Sequence, residues 1–175
     1  MVVVRDATMN AIRRQAAARV RASGVGWFLD WIEDVQVVYM DGRVTNPSYD
    51  EYLNAVAGDI DGRSDDDHVS ILYHVPQPSA LSADRRSRLG ALLKAREERL
   101  RGMTCAYAMA TPSLIVRSGL RMLFWLAPPP YPNAVVATPR DGYEFIARHH
   151  AAVDPVSWAA EHARLLSRLG PEIAR

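Results

Sequence analysis

Five histidines, one cysteine and a run of aspartates are the residues of this 175-residue chain whose types could do chemistry. His149 and His150 are adjacent, and neighbouring helical residues point about 100° apart, so the two do not share a face. A helical zinc site takes histidines four apart, and Asp154 joining one of them still leaves two ligands missing. A favourable interaction with a helix C-terminus accounts for the pair. Asp59, Asp61, Asp65, Asp66 and Asp67 crowd one stretch. A calcium loop with Gly62 at its sixth position would put Ala57 first and His68 twelfth, where oxygen ligands are required. The stretch therefore reads as a hydrated loop. Cys105 lies in the apolar run Cys105-Ala106-Tyr107-Ala108-Met109 and reads as a small buried hydrophobe. A lone thiol forms neither an internal disulfide nor a cysteine-based zinc site, and it suits a reducing cytosol. His74 ends an apolar strand, where α/β proteins often place ligands; a structural hydrogen bond is its plainer role. There is no Gly-x-Ser-x-Gly, no phosphate loop and no Gly-x-Gly-x-x-Gly. The expectation is a non-enzyme with no cofactor and no metal.

Two helical stretches offer surfaces instead of chemistry. From Ser113 to Ala127, apolar residues including Leu114, Ile115, Met122, Phe124 and Trp125 surround the helix almost completely. A helix packed on one sheet face needs an apolar stripe of only about 100°. The surplus requires a cover, either the C-terminal helix or a partner or second copy. Arg117 and Arg121 lie four apart on one stripe, which is expected to face water, with Leu114 and Trp125 flanking it. These four residues form the candidate interaction surface. From Asp84 to Arg101 the chain carries seven basic residues against Asp84, Glu97 and Glu98. A solvated face with stems packed over apolar surface explains it. The net charge of +1 and the absence of interleaved aromatics argue against nucleic acid.

These stretches sit in one domain. The length suits a single core, and 49% apolar with 23% charged residues is ordinary for a globular chain. The most apolar window, Leu114–Pro132, is broken by Arg117 and Arg121, so no membrane span is expected. No secretion signal is legible, because Arg5 and Asp6 end the first apolar run. The pattern predicts a basic helix over 7–22, stopped by Gly24 and Gly26. A hairpin of Trp27–Ile32 and Val35–Met40 follows, then a helix capped by Asn46 or Ser48 and stopped at Gly58. Val69–Val75 reads as a central strand, since its apolar run is nearly continuous. A helix from Ser82 to Arg101, a strand at Thr104–Ala110, the apolar helix, a strand at Asn133–Thr138 and a helix at Arg140–His150 come next. A last helix begins at Asp154-Pro155 and ends at Gly170. The fold class is α/β, a mixed, mostly parallel sheet of about five strands with an N-terminal hairpin and flanking helices.

In its element order the chain resembles a STAS domain, specifically the SpoIIAA-like branch of anti-sigma-factor antagonists. The cues are Val37-Val38-Tyr39-Met40-Asp41-Gly42-Arg43-Val44 before a helix, and Leu89-Gly90-Ala91-Leu92-Leu93 after the third strand. The resemblance covers about residues 27–148. It implies a non-enzymatic domain that binds protein partners. It also places Ser87 at the family's phospho-acceptor position, with Arg85, Arg86 and Arg88 replacing that motif's acid, first serine and glycine. The expected layout is a basic arm over 1–26, a STAS-like domain over 27–148 and a C-terminal helix over 149–175 packing on it. The expected role is a cytoplasmic interaction or regulatory module with protein partners or a homo-oligomeric state. The alternative is a binder of an apolar small molecule or lipid, in a pocket lined by Tyr107, Met109, Phe124 and Trp125.

Overall fold

A computed structural model describes residues 21–77, 82–126, 128–151 and 153–173 of the chain. Six strands form one sheet: β1 (Ala22–Gly24), β2 (Trp27–Ile32), β3 (Val35–Met40), β4 (Val69–His74), β5 (Thr104–Ala110) and β6 (Asn133–Val136). Their spatial order is their chain order. β1–β2 and β2–β3 are antiparallel, and β3 to β6 are parallel. The mixed α/β sheet is thus as expected, with one strand more than the pattern suggested. Residues 22–24 belong to the sheet and not to the basic arm or to the helix expected over 7–22. Most of that helix lies outside the described residues. Gly26 makes the β1–β2 turn with φ of +78°, and a Cβ there would stand 2.4 Å from the Val44 nitrogen. Only glycine fits that conformation and that gap.

The helices are α1 (Asn46–Gly62), α2 (Ala83–Lys94), α3 (Glu97–Met103), α4 (Leu114–Leu126), α5 (Pro139–Ala147) and α6 (Pro155–Ile173). Thr45 caps α1, accepting from the Ser48 amide at 3.3 Å. Burial of Tyr49, Tyr52, Leu53, Val56 and Ile60 carries that helix past Gly58, where propensity alone would end it. The helix expected over Ser82–Arg101 breaks at Ala95 and Arg96 into α2 and α3. α5 opens on a capping box between Thr138 and Asp141. The sheet grows in one direction through three crossovers, so crossovers of one hand leave α1 to α4 on a single face. Their side chains join Trp27, Leu29, Val38, Tyr73 and Val135 in one cluster. α5 and α6 cover the other face, with Phe28, Val37, Leu72 and the small residues Ala106, Ala108 and Ala110. A Cβ on Gly142 would stand 2.5 Å from Leu72 Cδ1, so α5 lies directly against the sheet.

The charge runs cancel within the chain. Arg88 pairs with Asp50, Arg96 with Asp61 at 2.7 Å and Arg99 with Asp65 at 3.4 Å. Asp59 is not in a hydrated loop. It is buried in α1, paired with Arg63, and it accepts from Gln36 Nε2 at 2.7 Å. Asp59 and Arg63 are neighbours in sequence, whereas the pairs made by Arg88, Arg96 and Arg99 join charges tens of residues apart and form only once α2 and α3 pack beside α1.

Candidate functional site

α4 is the element that places most unusual side chains at the surface. Its inward side carries Leu120, buried, with Val116 and Phe124 half-buried against the sheet. At 100° per residue the opposite side carries Leu114, Ile115, Ser118, Met122, Trp125 and Leu126. Ile115 is 86% exposed, Trp125 80% and Leu114 66%. The C-terminal helix was one expected cover, but α6 lies across the other sheet face with α5, β1 and β2. It is therefore not the cover of α4. Nor is the arginine stripe the outermost side of the helix. Arg117 Nη1 donates to Thr111 O at 2.8 Å and to Pro112 O at 2.7 Å. Arg121 donates from Nε and Nη2 to Val135 O at 3.3 and 2.9 Å. Pro132 O accepts from the Tyr107 amide and Val136 O from the Thr111 amide just past β5, so by alternation Val135 O points to the open edge of the sheet. Arg121 occupies that carbonyl and protects the β6 edge from pairing with another strand. The candidate surface divides accordingly: Leu114 and Trp125 face outward, while Arg117 and Arg121 are tied to main-chain carbonyls.

Between α2–α3 and α4 the helical layer leaves the sheet partly open. A groove of about 380 Å³ runs there, lined by Leu93, Leu100, Phe124, Tyr131 and the prolines Pro128–Pro130, with Lys94 and Glu97 at its rim. A cavity of about 40 Å³ adjoins it, lined by residues including Tyr52, Ile71, Tyr73 and Tyr107. Ring centroids of Tyr107 lie 6.2 Å from Phe124 and 6.4 Å from Tyr131. Tyr73 Oη donates to Tyr52 Oη at 2.8 Å. Burial pushes the phenols of Tyr52, Tyr73, Tyr107 and Tyr131 up, so all four stay protonated and can donate. Of the four residues expected to line an apolar pocket, Tyr107 and Phe124 meet at this place. Trp125 points away from it, and Met109 is buried in the core.

A second polar assembly lies on the closed face. His162, buried on α6, accepts or donates at Nδ1 with Tyr143 Oη and at Nε2 with His74 Nδ1, both at 3.1 Å. His74 stands at the C-terminal end of β4, with the Tyr39 ring edge-on at 5.4 Å. Burial drives the His74 pKa to about 4, and burial together with His74 drives that of His162 to about 3. Both rings are neutral, so each has one donor and one acceptor and the chain of bonds can run in either direction. The structural hydrogen bond expected of His74 is therefore present, with His162 as its partner.

The remaining sequence candidates disperse. His149 packs on Phe145 with centroids 4.9 Å apart, whereas His150 Nδ1 meets Ser70 Oγ at 3.1 Å. Among the described residues no group of three or more His, Cys, Asp or Glu could hold a metal ion. Cys105 is half-buried, and burial followed by Asp34 raises its thiol pKa. Ser87 is exposed on the second turn of α2 and does not face the core. No helix among the described residues is long and apolar enough to cross a membrane. The tyrosine cluster and the His162 relay were not singled out in the sequence. His162 was findable, because it sits between Trp158 and Leu165 on the apolar stripe of α6. No protein-family model, curated protein or solved structure matches the chain.

Proposed function

We propose that this protein is a non-catalytic interaction module of STAS-like arrangement, acting in the cytoplasm by docking a protein partner on α4. The observation that carries it is the outward side of that helix, where Leu114, Ile115, Met122, Trp125 and Leu126 are all exposed. Contiguous apolar surface of this kind on a folded chain marks an interaction site. Aromatic and methionine side chains are the types enriched at such contacts. The STAS-like reading draws support from the hairpin followed by parallel strands, with every crossover helix on one face. Ser87 belongs to the same proposal as a regulatory phospho-acceptor, supported by its exposure. A phosphate there would stand beside Arg86.

The test is site-specific photo-crosslinking in cells, with the crosslinker at Met122 and, as control, at Glu144 on exposed α5 surface. A discrete adduct from position 122 alone, whether with a second copy or with another protein, supports the module. Identical patterns from both positions remove it. Mass spectrometry of the native protein across growth conditions tests Ser87, and a persistently unmodified serine ends that part of the reading.

A second reading has its own observation. The groove beside α4 is apolar and large enough for a small molecule, and pockets that bind such ligands are lined this way.

A further inference from the structure

The groove and the cavity beneath it adjoin, because Leu93, Leu100 and Tyr131 line both. Together they form a mostly apolar channel whose inner part is lined by Tyr52, Tyr73, Tyr107 and Tyr131. Among the described residues the hydroxyls of Tyr107 and Tyr131 make no hydrogen bond, and neither residue is fully buried, so both hydroxyls are open to a ligand. Tyr52 and Tyr73, both buried, share a single hydrogen bond, which leaves one phenolic proton between them without an acceptor. A phenol on a pocket wall without a protein partner can give its proton to an acceptor that enters. The charged residues of the groove, Lys94 and Glu97, are paired with each other at the rim. A charged ligand would therefore enter an apolar channel with no free counter-ion, at a large desolvation cost.

We infer that this channel is a binding site for a neutral, largely apolar ring compound that carries one terminal hydroxyl or carbonyl oxygen. The ring lies in the groove against Phe124, Leu93 and the prolines. The oxygen enters the inner cavity, which is large enough for a few atoms, and accepts from Tyr107 and Tyr131. The site deepens the second reading above and is independent of the α4 surface.

The probes are 2-naphthol and its near-isostere 2-methylnaphthalene, with 2-naphthoate as the anion, each titrated against the full chain by fluorescence. 2-Naphthol should bind about tenfold more tightly than 2-methylnaphthalene, the ratio that one good hydrogen bond provides. 2-Naphthoate should bind more weakly than either. The Tyr107→Phe, Tyr131→Phe double variant should equalise the two neutral probes, and Leu93→Trp, which fills the junction of groove and cavity, should abolish both. Thermal melts confirm that each variant is folded. Trp125→Lys should leave naphthol binding unchanged, so failure of this site and failure of the α4 proposal are separate results. Equal affinity of the neutral probes for the unaltered chain, no binding of either, or a preference that survives the double phenylalanine variant would overturn the inference.

Discussion

Leu72 and Ile71 are neighbours in β4, and their surroundings differ as the two faces of the sheet differ. Leu72 points to the face covered by α5 and α6 and is fully buried, with Ala106, Ala108 and Ala110 beside it. Those alanines, with Gly142, let α5 approach the strands closely. Ile71 points to the four-helix face and remains half-buried at the groove between α2–α3 and α4. The same strands therefore build a tightly covered face and a partly open one. The tightly covered face holds its polar groups in a neutral relay of Tyr143, His162 and His74. The open face has tyrosine hydroxyls without acceptors and, beyond them, a helix with an apolar exterior. Small residues allow close approach and closure, whereas large aromatic residues hold the helices apart and leave room. The second face accordingly offers the room and the exposed surface that binding needs.

Trp158 under the closed face and Trp125 on the exterior of α4 should show the largest difference between them. Trp158 is 4% exposed among Tyr143 and its neighbours, and Trp158→Ala should cost about 3–5 kcal/mol in urea unfolding. Trp125→Ala should stay within about 0.5 kcal/mol of the unaltered chain. Comparable losses would mean that α4 is covered as fully as α6. The β4 neighbours repeat the comparison on a smaller scale. Leu72→Ala should cost about 2–5 kcal/mol, and Ile71→Ala less than half of whatever Leu72→Ala costs. Equal costs would show that the groove is closed in solution.

How far these contrasts could be read in the sequence depends on whether their cause is local. β4 was legible because its apolar run is buried on both sides and Pro76 ends it. The surplus on α4 was legible too, since a single stripe cannot use Leu114, Ile115, Met122, Trp125 and Leu126 at once. The destination of that surplus was not legible. Leu165 and Trp158 on the last helix needed a home, and either sheet face would have supplied one. The small residues that decided it are the β5 alanines and Gly142, whose partnership exists only after folding. The acidic and basic runs misled for the same reason, since Arg96 finds Asp61 across 35 positions. The tyrosines of the channel come from α1, β4, β5 and the loop before β6, and no spacing rule connects them.

The relay on the closed face sharpens the comparison through pH. Folded His162 and His74 take up protons only near pH 3 and 4, against 6.5 for an ordinary histidine. Between those values the unfolded chain binds more protons than the folded one, so stability falls as pH is lowered from about 6.5 towards 4. At its steepest this amounts to about 1.4 kcal/mol per pH unit for each histidine. His162→Gln can keep both hydrogen bonds and removes one titration. Its urea midpoint should therefore fall less steeply than that of the unaltered chain between pH 6.5 and 4. Parallel slopes would place the relay in contact with solvent.

The smallest expected change in stability belongs to the open face, where it is the most informative. Trp125 lies in the last turn of α4, next to the negative end of the helix dipole, so Trp125→Lys introduces a charge that the helix tolerates. The folded chain loses almost no packing there, and its urea midpoint should move by no more than about 0.5 kcal/mol. The consequence falls on whatever contacts the helix. An ammonium set in the middle of an apolar interface would be desolvated without a partner, and an assembly relying on that interface would separate. Light scattering over a range of concentrations reads this directly when the partner is a second copy. The unaltered chain should then grow in mass with concentration while Trp125→Lys stays at the mass of one chain. If the unaltered chain holds the mass of one chain up to high concentration, self-association is eliminated. The exposed side of α4 is then a surface for a different protein, and the adduct from position 122 should contain that protein and not a second copy.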